Sequence, residues 1–550
     1  LFALAFALPA GMAVFVLLSA ANVPIYDEWV WSPLVVAAHT GTLTWSQLWA
    51  QQNSHRSVFP TLIALGLAAL DRWDTRVEGL TSVLLAFVCQ LCLLALIVRR
   101  FGVERSGGPF LVTSLLLFSL AQCENFLWGF QLSWFVADAF VLGLLLALTA
   151  LPAGRRGLGR FAVALLFASG ASLSMIWGFA AWIAGLVMLL QTGVRARVAL
   201  LAVWTFAAVV CAAVFLAGYH RPPDEHGWFL EAAAPWLDVP QFSLAVLGTP
   251  LGLIGGRWLC EVLGALLCIA FGVLVTRARR AGDDVAPWTG LFAFAAGFAV
   301  MTALGRTAYG VEAGIISRYT TPATLAWIAV AMLGWDTLRP RRGLVAAGVV
   351  LFAAANVAGA IVSWQIGGEE RDLAQRIHHT ATASDAELRR AFTDNYSVDQ
   401  PGFIRRQVSE LQRLHLGPFN ARSASAAGVA PHPAPSPNLP QPLVVPEVQP
   451  RILAVAFDRP AYRWGDLMHI SVVTTTNTAV VEVKPLANLP FTSPIRLHET
   501  TNGTFFGLVR IPFGPPLVHL PTLPFVVDVT ALGGEGKTAT RRVTFDLRSG

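Results

Sequence analysis

The feature that most constrains this chain is a succession of apolar stretches, each close to the length that crosses a bilayer. A spanning helix needs about 20 apolar residues. Such stretches lie at roughly 1–21, 79–98, 109–123, 131–151, 161–174, 177–192, 198–217, 257–276, 286–304, 320–337 and 343–364, which gives eleven expected spans. Composition agrees. Of 550 residues 55% are hydrophobic and 13% charged, where a soluble domain carries about 25% charged residues. The expected fold class is therefore an α-helical polytopic membrane protein.

The loops test the assignment independently, because Lys and Arg accumulate on the cytoplasmic side. Every second loop carries them: Arg99, Arg100 and Arg105; Arg155, Arg156 and Arg160; Arg195 and Arg197; Arg277, Arg279 and Arg280; Arg339, Arg341 and Arg342. The alternation places the loop after the first span, the loop near residue 125, the stretch 218–256, the loop 305–319 and the whole C-terminal region outside the cytoplasm. The short segment "VFPTLIALGLAALD" (58–71) would invert every later loop if it spanned. It is read instead as an amphipathic helix in the interface, so that residues 22–78 form one long external loop with interfacial helices.

Several other classes are set aside. The net charge of +6 is dispersed in small arginine clusters without a basic run interleaved with aromatics, so no nucleic-acid partner is expected. Cys89, Cys92, Cys123, Cys211, Cys260 and Cys268 all lie in or beside apolar segments. They are read as packing residues, the CxxC spacing of Cys89 and Cys92 included. Residues 1–21 lack the basic n-region of a cleaved leader and are read as a first span.

Beyond residue 364 the composition turns polar. Residues 365–422 read as an external soluble helical segment, and 423–450 ("SASAAGVAPHPAPSPNLPQPLVVPEVQP") as a Pro/Ala/Ser linker. Residues 451–550 hold six β-rich runs divided by turn residues, the pattern of an immunoglobulin-like β-sandwich. "GGEGKTAT" imitates the end of a phosphate-binding loop, but the position that needs glycine holds Ala531, and a β-hairpin is expected there.

Candidate chemistry gathers in the external loops. "NVPIYDEWVW" sets Asp27 and Glu28 between Tyr26 and Trp29, directly after the first span, where ionised carboxylates require a wet or paired setting. The same loop holds His55 and Arg56. The next external loop, "QCENFLWGFQ", holds Glu124, Asn125 and Trp128; "SMIWG" adds Ser174 and Trp177; "GRTAYGVEAGIISRYTTPA" adds Arg306, Tyr309, Glu312, Arg318 and Tyr319. Each has a plainer reading: aromatic belts hold tryptophan and tyrosine at the interface, and Arg306 and Arg318 can bind headgroups or pair with Glu312. Taken together, the set suits a lipid-linked phosphate donor and a hydroxyl acceptor. A carboxylate acts as base, guanidinium groups take the phosphate, and aromatic faces meet sugar or lipid.

An acidic motif right after the first span, interfacial helices in that loop and a soluble region after the last span resemble the GT-C superfamily of integral membrane glycosyltransferases. The resemblance covers about residues 1–364 and is one of architecture. It implies transfer from a polyprenyl-phosphate-linked sugar to a glycan or lipid-linked acceptor, with inversion, on the outer face of a bacterial inner membrane. It implies Asp27 as base with Glu28 as its substitute, and Arg306, Arg318, His55 and Arg56 at the donor phosphate. Tyr26, Trp29, Glu124, Asn125, Trp128, Trp177, Tyr309 and Tyr319 are then expected at the substrates. In metal-using members a second acidic motif helps hold a divalent ion; Glu124 is the acidic residue available here, and metal dependence stays open. The sequence departs from the family in having "DE" before Trp29 in place of a D-x-D, and in lacking the W-W-D-Y-G acceptor motif. Rival readings are a lipid-linked glycan polymerase or ligase, a transporter or flippase of lipid-linked sugars, and a scaffold presenting its sandwich.

Overall fold

The structure is a computed structural model. It describes residues 1–149, 151, 155–193, 196–220, 238–307, 310–338, 341–377, 401–420, 450–457, 461–463, 467–476, 478–485, 495–501, 503–510, 524–533 and 538–548. The 423–449 part of the expected linker and Tyr309 lie outside the described residues.

Helices dominate up to residue 420. Among the described residues eight of them are long and apolar enough to cross a membrane: Phe2–Ser19, Thr75–Phe101, Gly107–Leu127, Gly129–Leu148, Arg197–Leu216, Gly256–Arg280, Ala286–Arg306 and Gly343–Gly368. The chain is a multi-pass membrane protein. The count differs from the eleven expected spans. Helices do stand at Arg155–Ser172, Ala180–Leu190 and Thr320–Leu338, but arginine in the first turn of one, the shortness of the second and the polar ends of the third keep them out of that set. A buried helix at Asp238–Gly252, within the expected external stretch, packs against Gly256–Arg280. Close approach explains the packing: a Cβ at Gly248 would strike the Cys260 carbonyl and one at Gly264 the Leu244 carbonyl. Small residues of this kind let helix backbones meet in a bilayer.

Local signals set the helix ends. Asp74 caps Thr75–Phe101 by accepting from the Arg76 N–H at 3.2 Å, Arg99 and Arg100 occupy its last turn, and Gly102 leaves it at positive φ. The arginine-bearing loops then meet at one end of the bundle. Arg100 pairs with Asp283 at 2.8 Å, Arg105 with Asp336 at 2.7 Å, and Arg279 donates to Gln191 at 2.9 Å.

At the opposite end, residues 20–78 are largely helical, with Ser32–Thr40, Trp45–Trp49 and Val58–Asp71 following a 3₁₀ turn at Tyr26–Trp31. These elements have a core of their own built on Trp29, Trp31, Val35 and Trp73. The C-terminal helix Pro401–Leu414 contributes Ile404, Val408 and Leu411 to it, spaced to lie on one helical face. Backbone and side-chain bonds fasten the junction: Asn22 Nδ2 donates to the Gly417 carbonyl at 2.9 Å, and the Gly417 N–H to the Arg72 carbonyl at 2.8 Å.

The described residues of the C-terminal region form eight strands: β1 Ile452–Phe457, β2 Ala461–Arg463, β3 Leu467–Thr474, β4 Thr478–Pro485, β5 Ile495–Thr501, β6 Thr504–Arg510, β7 Pro524–Gly533 and β8 Thr538–Arg548. They pair in the order β1-β3-β6-β5-β4-β7-β8-β2. All six β-rich runs are strands; β2 and β5 are additional. β7 and β8 are antiparallel neighbours, and residues 534–537 of "GGEGKTAT", between them, lie outside the described residues.

Candidate active site

The 3₁₀ turn Tyr26–Trp31 follows the first span after six residues and splits the two acids between different environments. Glu28 is buried. Its Oε2 accepts from the Ile25 N–H at 3.1 Å, closing the turn on itself. Its other oxygen, together with an oxygen of Glu78, lies against the α carbon of Gly129, where a Cβ would collide with both carboxyls. Glu78 Oε1 in turn accepts from Trp73 Nε1 at 3.0 Å. Burial first, and then the neighbouring Glu78 charge, raise the Glu28 carboxyl well above its ordinary range. Two carboxyls this close cannot both ionise, and among the described residues the facing oxygens receive no donor from another residue. One shared proton accounts for both facts.

Asp27 is half-buried, and its charge acts on Arg318. Arg318 donates from NH1 to Glu124 Oε1 at 3.2 Å and from its backbone N–H to Glu124 Oε2 at 3.1 Å. Its guanidinium carbon lies 5.9 Å from the ring centres of both Trp128 and Tyr319. Burial disfavours its charge, but Glu124, Tyr319 and Asp27 outweigh that and raise its pKa, so it is a fixed cation. About a third of its side chain, 36%, stays accessible.

The two external segments that hold this centre are stitched together. Asn125 Nδ2 donates to the Arg318 carbonyl at 2.8 Å and to Thr321 Oγ1 at 2.6 Å, while Ser317 Oγ donates to the Ala121 carbonyl at 2.8 Å. Aromatic rings surround it. Tyr26 lies 5.1 Å from Trp128; Trp134 lies 5.0 Å from Trp177 and 6.0 Å from Tyr319. Asn125 Oδ1, Trp128 Nε1 and Trp177 Nε1 are buried without a hydrogen-bond partner among the described residues. Orphaned groups of both polarities beside a fixed cation are what a polar ligand would satisfy.

A second cation, Arg306, acts on His55. His55 Nδ1 accepts from the Ile176 N–H at 3.2 Å, next to Trp177. Its pKa falls to about 3, through burial and then the charge of Arg306. The ring is neutral with its proton on Nε2, and Arg306 is close enough to be felt.

The structure thus brings together Tyr26, Asp27, Glu124, Asn125, Trp128, Arg318 and Tyr319; Trp134 links Tyr319 to Trp177, and His55, within reach of the Arg306 charge, meets the backbone one residue before Trp177. Two expected residues take other work. Trp29 is fully buried in the core of the external loop, so no substrate can stack on it. Arg56 donates from Nε to the Phe215 carbonyl, from NH1 to that of Trp49 and from NH2 to that of Ala217, each at 2.7 Å, and so clamps the end of Arg197–Leu216. Glu78, Trp73 and Gly129 were missed. An acid at the head of a span was a usable signal for Glu78; nothing local announced its partner fifty residues earlier.

Glu124 does not suit the tentative metal role. Both of its oxygens accept from Arg318, and among the described residues no three His, Cys, Asp or Glu side chains converge.

No family model matches the chain, and no curated protein does. Among solved structures it is similar to the crystal structure of ArnT from Cupriavidus metallidurans bound to undecaprenyl phosphate, with 16% sequence identity and a TM-score of 0.42 over 76% of this chain and 78% of that one.

Proposed function

We propose that the protein is a membrane glycosyltransferase that moves a sugar from a polyprenyl-phosphate donor to a glycan or lipid-linked acceptor, with inversion, on the external face of a bacterial inner membrane. The observation that carries this reading is the Asp27–Arg318–Glu124 centre, set among aromatic rings and orphaned polar atoms at the end of the bundle opposite the arginine-rich loops. The acceptor hydroxyl attacks the anomeric carbon as the bond from that carbon to the phosphate oxygen breaks. Asp27 takes the hydroxyl proton. Arg318, with Arg306, receives the charge that collects on the departing polyprenyl phosphate. Glu124 keeps Arg318 oriented, and Trp128, Trp177 and Tyr319 border the sugar. The neutral His55 ring supplies one N–H donor without adding charge.

Transfer of radiolabelled sugar from membrane lipid extracts to acceptor glycans tests this. Wild type should transfer, and folded Asp27→Asn should lose about 10²–10⁴-fold, the usual worth of a positioned base. Wild-type activity in Asp27→Asn would remove the mechanism.

A second reading, a transporter or flippase of lipid-linked sugars, has one observation in its favour. Asp138 is buried inside the span Gly129–Leu148 with Oδ1 unpartnered among the described residues, and intramembrane acids often mark a transport path. Movement of labelled lipid across vesicles, lost in Asp138→Asn and kept in Asp27→Asn, would favour it.

A further inference from the structure

We infer that Glu78 is a positioning residue for Asp27: paired with Glu28 over Gly129, it holds the Tyr26–Trp31 turn in the arrangement that keeps Asp27 within electrostatic reach of Arg318. The inference rests on the reading of Asp27 as the base. Its grounds are geometric. The turn begins at Tyr26 with φ +46°, a left-handed conformation that costs free energy for a side-chain-bearing residue and must be held from outside. Glu28 is the fastening on the turn, because one of its oxygens accepts from Ile25 and the other meets Glu78.

Glu78 is anchored in its turn. It belongs to the helix Thr75–Phe101 and accepts from Trp73, whose indole is buried and whose backbone also lies at positive φ. A further buried carboxyl, Glu370, accepts from the Ala21 N–H at 2.6 Å and ties the preceding residues to the last long helix. Gly129 completes the arrangement. It stands one residue after Trp128, which packs on Tyr26 and Arg318, so the carboxyl pair and the cation centre share the same short loop. Between Glu78 and Asp27 there is a single step, through the neighbouring residue Glu28.

The test pairs two substitutions. Glu78→Gln keeps an acceptor for Trp73 and a donor for Glu28, and should stay within about threefold of wild type. Glu78→Leu removes both and should lower kcat about 10²-fold, the cost of roughly 1 Å of misplacement, with donor KM little changed. Glu78→Asp, one methylene shorter, stands in for leucine should that variant not fold, with the same expectation. Asp27→Asn combined with Glu78→Leu should be no slower than Asp27→Asn alone, since the second residue acts only through the first. Multiplying losses, a glutamine variant as poor as leucine, or a leucine variant at the wild-type rate would each overturn the inference. Hydrogen exchange of residues 22–31 gives an answer that needs no activity: faster exchange in Glu78→Leu than in Glu78→Gln is expected, and equal exchange overturns it. An inactive wild type, or a neutral Asp27→Asn, would instead count against the glycosyltransferase reading.

Discussion

Both ends of the helical bundle carry arginine, and the two ends use it differently. At the end where Arg99 to Arg105, Arg277 to Arg280 and Arg341 gather, the acidic partners are exposed: Asp336 keeps 60% of its side-chain surface and Asp283 44%, although Arg100 itself keeps 12% against 64% for Arg105. Such a pair contributes about 0–1 kcal/mol. At the other end, Arg318 stands against Glu124, which keeps only 17%, with aromatic rings on either side and Asp27 within electrostatic reach. The difference lies in the acid: Asp336 stays in water, whereas Glu124 is largely covered and takes two bonds from Arg318.

The contrast breaks most sharply at Arg318. Removing a fixed donor that meets developing charge costs about 10²–10³-fold in kcat, so Arg318→Ala should fall by that much in the transfer assay. Arg318→Lys should not restore it, because an ammonium cannot span Glu124 and a phosphate as a planar fork does. A lysine variant at the wild-type rate would reduce the centre to simple charge.

Next in size is Gly129→Ala. A methyl group there meets the carboxyls of Glu28 and Glu78 together, and overpacking of this kind costs about 1–3 kcal/mol. The midpoint of thermal unfolding in detergent should drop; an unchanged midpoint would mean that the pair has room to part.

His55 sharpens the comparison through pH. Its folded pKa of about 3 lies below the ordinary 6.5, so between those values the unfolded chain binds more protons. Stability should therefore fall as pH drops through that window and be fully present above it. His55→Gln should flatten the slope between pH 6 and about 4, as read by unfolding midpoints. The smallest effect belongs to the opposite end: Arg105→Ala should move the midpoint by no more than about 1 kcal/mol equivalent and leave transfer unchanged.

Much of this contrast is legible in the sequence. Apolar runs of bilayer length, arginine in alternate loops, and the acids and aromatics of "NVPIYDEWVW" are local patterns, and local patterns survive without coordinates. The β-rich runs beyond residue 450 belong to the same class, each with its own turn signals. What stayed hidden depends on distant partners. Asp27 and Glu28 look alike in sequence; Glu28 is buried against Glu78 and Gly129, while Asp27 stays half-buried within electrostatic reach of Arg318. Arg56 looks like an anion ligand until the carbonyls of Phe215 and Ala217 arrive from a helix some 160 residues later. Asp238–Gly252 was concealed by Pro250 and its glycines, which weaken a helical pattern although neighbouring helices accommodate them.

The fastening of Asn22 to Gly417 has a consequence in time. The two residues are 395 positions apart, and the core of the first external loop is incomplete without Ile404, Val408 and Leu411. At a synthesis rate of about 5–20 residues per second, the loop bearing Asp27 waits about 20–80 s for its closing helix. The acidic turn is thus finished only after residues 401–417 have been made, because Ile404, Val408 and Leu411 complete its core and Gly417 receives Asn22.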